Sequence, residues 1–261
     1  MKALAVGLAL VVLAAAAPAG AQQQSAVVRV AAASDLRFAL DEIATAYRRA
    51  HPDTRLELSY GSSGTFHAQI LQGAPYDLFL SADVRYPNDL AARGQADAST
   101  LFTYAIGRIV LWVPAASSLD VNRGLDVLKD PHVRHIAIAN PEHAPYGKAA
   151  EDAMRAARVL DAVRGKLVRG ENITQTAQFV ESGAADIGII ARSLALAPSM
   201  RTKGRYWEVP PAMYPVMEQG GVVLARAGDR AAAMAFRAFL LAPQAQKVLA
   251  TFGFVVPGAA K

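Results

Sequence analysis

Short apolar runs alternate with amphipathic segments along most of the chain. The first run, Val27–Ala33, predicts a strand, and apolar residues at helical spacing from Leu36 to Tyr47 predict the helix that follows it. Further strands are predicted over short apolar segments, at 56–60, 77–82, 109–113, 136–139, 187–190 and 221–225. Further helices are predicted over 65–72, 151–160, 174–182, 230–241 and 243–252. This alternation favours an α/β fold of mainly parallel sheets with helices on both faces.

Residues 1–21 have a different pattern, in which Lys2 precedes the uninterrupted apolar run Ala3–Ala17. Pro18 ends the run, and 19–21 (A-G-A) form a small-x-small cleavage site. A charged start, an apolar centre and such a site predict a secretory signal peptide. A membrane anchor is the weaker interpretation, because the run is shorter than the ~20 residues that span a bilayer. We therefore expect a soluble, exported protein of a bacterial periplasm.

Composition excludes several classes of protein. The 261 residues are 53% hydrophobic and 19% charged, which excludes a disordered, collagenous or coiled-coil chain. The absence of cysteine excludes disulfides, thiolate metal sites and cysteine lipidation. The formal net charge of +5 comes from scattered basic residues, so we expect no nucleic-acid partner.

Motifs for catalysis are missing from the sequence. The stretch G-S-S-G at 61–64 has the wrong spacing for a nucleophile elbow, and the chain has neither a P-loop nor G-x-G-x-x-G. His132 and His135 lie in a predicted loop and strand without a nearby carboxylate, so solvated histidines are the simpler interpretation than a metal site. We expect a protein that is not an enzyme and needs no cofactor.

Four predicted helices begin just after a strand that ends in small polar residues, at 31–36, 60–65, 145–147 and 171–174. The first N–H groups of a helix have no partner within it, and the helix dipole places partial positive charge there. Such starts bind anions without a lysine or arginine. The same residue types also serve as plain N-caps worth about 1 kcal/mol each. Spacing alone does not show whether the four starts converge.

Seven segments resemble the periplasmic molybdate-binding proteins of ABC transporters. They are A-A-A-S-D-L (31–36), S-Y-G-S-S-G-T (59–65), G-A-P-Y-D-L-F-L-S-A-D (73–83), N-P-E-H-A-P-Y-G (140–147), G-E-N-I (170–173), A-D-I-G-I-I (185–190) and F-L-L-A-P-Q-A-Q-K-V-L-A-T-F-G-F (239–254). The match runs in order from Val27 to Pro257. The resemblance implies two α/β lobes of the periplasmic binding protein type, over 27–105 plus 215–257 and over 106–214, with a ligand cleft between them.

The resemblance also implies a ligand set for a tetrahedral dianion. Ser34 and Ser63 would donate hydroxyl and backbone hydrogen bonds from the first lobe. Tyr146 and Ile173 would donate backbone N–H groups from the second lobe. Ser62 and Asp35 are further candidates. Sulfate would be excluded mainly by its smaller size.

Two positions depart from the pattern of the family. Some members have a tyrosine after the I-G-I-I strand whose hydroxyl reaches the anion, and this chain has Ala191 there. We expect the Tyr146 hydroxyl to replace it. Asp35 would repel a bound dianion, so we expect its side chain to turn toward the helix start or the solvent.

The function implied is a monomeric receptor that delivers molybdate or tungstate to a membrane permease with its ATPase. A receptor for another oxyanion, such as sulfate or phosphate, is the alternative. A secreted hydrolase and a basic adhesive or nucleic-acid-binding protein are weaker interpretations.

Overall fold

The computed structural model describes residues 26–256, and the predicted signal peptide, residues 1–21, lies outside this span. The strands within it are β1 (Ala26–Ala33), β2 (Thr54–Gly61), β3 (Leu78–Ser81), β4 (Phe102–Gly107), β5 (Ile109–Pro114), β6 (Ile136–Ala139), β7 (Leu167–Gly170), β8 (Ile187–Ala191), β9 (Gly204–Glu208) and β10 (Met217–Val223). The α-helices are α1 (Arg37–Ala50), α2 (Ser63–Leu71), α3 (Arg85–Ala92), α4 (Pro145–Ala156), α5 (Leu160–Val163), α6 (Ile173–Glu181), α7 (Arg192–Ala195), α8 (Arg230–Leu241) and α9 (Pro243–Thr251). None of the helices in this span is long and apolar enough to cross a membrane.

The strands form two five-stranded sheets with the same topology, ordered β2-β1-β3-β10-β4 and β7-β6-β8-β5-β9. In the first sheet β1 is parallel to β2 and β3, and β10 is antiparallel to β3 and β4. In the second sheet β6 is parallel to β7 and β8, and β5 is antiparallel to β8 and β9. Four strands of each sheet therefore run the same way and one runs against them. The predicted two-lobe α/β fold is confirmed, with sheets that are mixed rather than wholly parallel.

The core of the first sheet follows the period of two that strands impose on their side chains. Val30 and Ala32 lie in a cluster with the apolar faces of α1, α8 and α9. Ala31 and Phe79 lie in another cluster with α2 and α3. The second sheet packs with α4 and α6 into the largest cluster, which also includes Ala33 and Ala82 from the ends of β1 and β3. The apolar core therefore reaches from the second sheet to the strand ends of the first.

The chain passes between the sheets twice within the described residues. It leaves the first sheet between β4 and β5, at Gly107–Ile109, and returns between β9 and β10, over 209–216. The two sheets are thus joined by two short adjacent passages, which is the arrangement of a hinge. The carboxyl ends of β1, β2, β6 and β7 lie where the two halves face each other, because residues that follow all four strands line one cavity.

Some elements differ from those predicted. Helix α4 begins at Pro145 rather than Glu151, since proline fits the first helical turn and the residues taken as a turn are already helical. Strand β10 begins at Met217 rather than Gly221. The pattern missed β7 because its four residues, L-V-R-G, include an exposed arginine and no continuous apolar run. It missed β9 because most of its side chains are exposed, without an apolar alternation.

Candidate functional site

Four helical segments begin directly after parallel strands. A 3-10 turn, Ser34–Leu36, follows β1 and leads into α1, and α2 begins at Ser63 after β2. In the second half α4 begins at Pro145 after β6, and α6 begins at Ile173 after β7. Strands β6 and β7 occupy the places in their sheet that β1 and β2 occupy in the first. The four starts therefore form two equivalent pairs that face each other.

The predicted site residues converge on one small cavity. Its lining includes six of them: Ser34, Asp35, Ser62, Ser63, Tyr146 and Ile173. Each of the six is buried. The empty volume is about 190 Å³, so the cavity suits a small ligand. The lining contains no lysine, arginine or histidine, so a ligand here meets uncharged donors and one carboxyl group.

The side chain of Ser63 is placed to donate a hydrogen bond into the cavity. Its hydroxyl oxygen accepts the Ala82 N–H at 2.9 Å, and the structure has no acceptor for the hydroxyl hydrogen among residues 26–256. The residue is fully buried. An oxyanion in the cavity would supply the missing acceptor.

Ser62 has a different role, as the N-cap of α2. Its hydroxyl lies 2.7 Å from the Thr65 hydroxyl and accepts the Thr65 N–H at 3.4 Å. It also lies 2.8 Å from Nδ1 of His143, which belongs to the loop after β6. Ser62 therefore caps a helix and links the two halves of the molecule at the edge of the cavity.

Backbone N–H groups at the helix starts are the other available donors. The Gly64 N–H donates to the His143 carbonyl at 2.9 Å, and the Thr174 N–H donates to Asn172 Oδ1 at 3.0 Å. The N–H groups of Ser63, Tyr146 and Ile173 have no acceptor within the described part of the chain. Unpaired N–H groups at helix N-termini carry partial positive charge and bind anions.

The hydroxyl of Ser34 is already engaged. It donates to Asn172 Oδ1 at 3.2 Å, and the Ser34 carbonyl accepts the Thr174 hydroxyl at 3.0 Å. Both partners belong to the second half of the molecule. Of the two serines expected to offer a hydroxyl donor, Ser63 has a hydroxyl hydrogen that is free within the described residues. The Ser34 hydroxyl instead connects the two halves of the molecule.

Asp35 and Tyr146 contact each other at the edge of the cavity. The Tyr146 hydroxyl, which we expect to replace the missing tyrosine at Ala191, donates to Asp35 Oδ2 at 2.8 Å, so its role toward an anion stays a prediction. Of the two orientations expected for Asp35, the one toward solvent is not found: the side chain is 1% exposed, and its Oδ2 also accepts Gln219 Nε2 at 2.6 Å. Burial raises the pKa of Asp35 to about 6, against the opposing effect of these hydrogen bonds and of the Asp35 and Leu36 N–H groups at the helix start. Ala191 is buried and is not part of the cavity lining.

Gln219 is the residue of this network that sequence reasoning missed. It lies on β10, is completely buried, and its Nε2 is also 3.0 Å from the Tyr146 hydroxyl. The signal that could have found it is the position of Gln219 just before the apolar residues of the predicted strand, where a side-chain amide indicates a buried polar contact. The predicted strand began at Gly221, so Gln219 lay outside it.

A metal site does not arise from the described residues, because none of their His, Asp and Glu side chains gather in groups of three or more that could hold an ion. The expectation that no carboxylate lies near His132 is wrong, because its Nδ1 contacts Asp130 Oδ1 at 3.0 Å, at an exposed position. The chemistry that the cavity can perform is the binding of a small anion.

The chain matches the family model described as bacterial extracellular solute-binding protein over residues 28–255. The molybdate-binding protein ModA of Azotobacter vinelandii is 36% identical over 233 residues, covering 88% of this chain and 90% of the relative. The ModA of Rhodobacter capsulatus is 36% identical over 197 residues, covering 76% of each chain.

Solved structures agree with this relationship. The periplasmic molybdate-binding protein of Azotobacter vinelandii superimposes with a TM-score of 0.83 at 33% identity, covering 88% of this chain and 99% of that one. The resemblance seen in the sequence motifs is confirmed. The chain belongs to the family of bacterial extracellular solute-binding proteins, in the group that contains the molybdate-binding protein ModA.

Proposed function

We propose that the chain is a periplasmic receptor that binds molybdate or tungstate and delivers it to the permease and ATPase of an ABC transporter. The observation that carries the proposal is the convergence of four helix starts on one buried cavity that has no cationic side chain. The names of the similar proteins favour molybdate over sulfate or phosphate. We also propose that the protein acts as a monomer and that residues 1–21 direct its export.

The proposed ligand contacts come from both halves of the molecule. Ser63 donates its hydroxyl and backbone N–H, and Tyr146 and Ile173 donate backbone N–H groups. Ser34 contributes when its hydroxyl turns from Asn172 to the anion. The other donors already point toward one cavity without bulk water, where preorganised dipoles replace the hydration of an oxyanion.

The proposed lobes are residues 27–105 plus 215–257 and residues 106–214. The sheet membership of the strands supports this division, because β5 to β9 form the second sheet and β1 to β4 with β10 form the first. Closure of the lobes around the anion would bring Ser63 and Tyr146 to opposite sides of one ligand.

We infer a binding protein rather than a hydrolase, although Ser62 and His143 are in contact. The Ser62 hydroxyl is occupied as a helix cap. Asn140 Nδ2 lies 3.1 Å from His143 Nε2 and donates to it, which places the ring proton on Nδ1, the nitrogen that faces Ser62. A general base needs that nitrogen free to take the proton of the nucleophile. Measurable turnover of simple esters, lost in Ser62→Ala, would contradict this inference.

Calorimetric titration with molybdate, tungstate, sulfate and phosphate tests the proposed function. We expect molybdate and tungstate to bind far more tightly than the other two anions. Tighter binding of sulfate or phosphate would show that one of these anions, and not molybdate, is the ligand. Binding of none of the four anions would contradict the proposed function.

The substitution Ser63→Ala tests the proposed contact. A hydrogen bond to a charged group contributes about 1.5–3 kcal/mol, so we expect molybdate affinity to fall roughly 10- to 100-fold. Ser118→Ala, at an exposed position in the loop after β5, is the matched control and should bind like the wild type. Equal affinities for the two variants would exclude the Ser63 hydroxyl as a ligand.

A further inference from the structure

The cavity proposed for an anion contains a carboxyl group with an unused oxygen. Asp35 lines the cavity and is 1% exposed. Its Oδ2 accepts hydrogen bonds from the Tyr146 hydroxyl and Gln219 Nε2. Its Oδ1 is buried and has no hydrogen-bond partner in the described part of the chain. Since a buried oxygen without a partner is costly, Oδ1 requires a donor that a ligand can bring.

The groups around Asp35 do not neutralise its charge. Tyr146 on α4 and Gln219 on β10 are neutral donors, and Ser193 on α7 donates to the Asp35 carbonyl rather than to the carboxyl group. Tyr104 on β4 also faces this region, and burial raises the pKa values of both tyrosines well above the ordinary value. The backbone N–H groups of Asp35 and Leu36 also lower the pKa of the Asp35 carboxyl, and none of the groups that alter this pKa is cationic.

A dianion beside an ionised Asp35 would face a like charge in a site without counterions. Hydrogen-bond donors at the helix starts satisfy the anion, but they leave Oδ1 of Asp35 unsatisfied. One proton between an oxygen of the anion and Oδ1 removes the repulsion and supplies the missing hydrogen bond. The site then holds a tetrahedral oxyanion surrounded by donors on every side except at Asp35, where donor and acceptor share one hydrogen.

We propose that the site takes up its oxyanion together with one proton, which lies between Oδ1 of Asp35 and an oxygen of the anion. This inference rests on the proposed function and adds to it a ligand class, the tetrahedral oxyanion that carries one hydrogen in the bound state. The raised pKa of Asp35, about 6, agrees with the geometry, because the empty protein already holds this proton in mildly acidic solution.

Proton uptake on binding measures the inference directly. The wild-type protein is titrated with molybdate at pH 8 in two buffers that differ in their enthalpy of protonation. We expect about one proton taken up per anion bound. We also expect affinity to fall about tenfold per pH unit between pH 7 and pH 9, as linkage of one proton requires.

Two variants complete the test. Asp35→Asn replaces the carboxyl group by an amide that can itself donate to the anion, so we expect no proton uptake and an affinity that is nearly independent of pH. Asp161→Asn is the control, since its side chain is 95% exposed, and it should take up the proton like the wild type.

The outcomes separate this inference from the proposed function. Tight, pH-independent binding of molybdate by the wild type without proton uptake would overturn the inference and leave the receptor function standing. Failure of every oxyanion to bind would overturn both. The wild-type proton count decides the inference even if the Asp35→Asn variant does not fold.

Discussion

At the scale of single residues, Asp35 is a carboxyl group held almost wholly out of water. A carboxylate at ~4 Å from a dianion is repelled by about 8 kcal/mol at an effective dielectric constant of ~20. Burial alone already disfavours the ionised form in the empty protein. The position therefore has consequences for stability as well as for binding.

The substitution Asp35→Asn should stabilise the empty protein at pH 8 and have little effect at pH 4. The folded pKa of about 6 lies above the ordinary value of 3.8, so the folded protein binds the proton more tightly. This contribution to stability is complete below pH 3.8 and is lost as pH rises through 6. The difference between the folded and the ordinary pKa corresponds to roughly 3 kcal/mol of unfolding free energy.

Denaturant unfolding of the anion-free wild type and variant, from pH 4 to pH 8, measures this difference. The asparagine variant keeps an acceptor for Tyr146 and Gln219, so the comparison isolates the charge. A difference in unfolding free energy that does not change with pH would show that Asp35 ionises as freely in the folded protein as in the unfolded chain.

At the scale of elements, the start of α4 depends on a glycine. Pro145 opens the helix, and Gly147 follows in its first turn against the end of β6. A Cβ atom at Gly147 would lie 2.1 Å from the Ala139 carbonyl oxygen. Because that oxygen belongs to the backbone of a strand, it has little room to move. The glycine therefore allows α4 to begin close enough to β6 for the Tyr146 N–H to reach the cavity.

The substitution Gly147→Ala should destabilise the fold by about 1–3 kcal/mol, the range for overpacking, despite the better helix propensity of alanine. Gly165→Ala is the matched control, because a Cβ atom there meets nothing within 4 Å. Denaturant midpoints measure both variants. Equal midpoints would mean that α4 shifts away from β6 at no cost.

The sequence predicted most elements but misplaced this one. The turn residues 145–147 were identified as a candidate helix start for anion binding, although the helix was expected only from Glu151. Local pattern shows where apolar faces recur, and the first turn of α4 has few apolar residues. Packing of Gly147 on Ala139, which the pattern does not contain, decides that the helix begins at Pro145.

At the scale of the whole molecule, hydrogen bonds across the cleft hold the two halves together at the site itself. Ser62 and Gly64 contact His143, and Ser34 contacts Asn172. These contacts connect the helix starts of one half with the loops and helix starts of the other. The structure is thus a closed arrangement, and access to the cavity requires these bonds to open.

The substitution Gly64→Ala should favour an open molecule without unfolding it. A Cβ atom at Gly64 would lie 2.7 Å from the carbonyl oxygen of His143, in the other half. Alanine is otherwise favourable in a helix, so each half should keep its stability. Since the clash, of about 1–3 kcal/mol, occurs only in the closed form, we expect molybdate affinity to fall about tenfold or more.

Small-angle scattering with and without molybdate, together with calorimetry, checks this expectation. The Gly64→Ala variant should keep a larger radius of gyration than the wild type at the same anion concentration. Gly165→Ala should behave like the wild type. A Gly64→Ala protein that closes and binds normally would show that contact with His143 is not needed for closure.

The sequence by itself determined the alternation of strands and helices, the small polar residues at four helix starts and the absence of cysteine. All six candidate site residues that it offered lie in the lining of the cavity. These properties are local, because apolar periodicity and capping depend on residues a few positions apart.

The tertiary structure alone decided which donors remain free. Tyr146 and Gln219 are 111 and 184 residues from Asp35 along the chain, and both engage its carboxyl group. Ser34 is 138 residues from Asn172, which takes its hydroxyl. Such contacts depend on sheet order and on how the two halves meet. For that reason the sequence could propose the anion site, while only the fold revealed an unpaired carboxyl oxygen inside it.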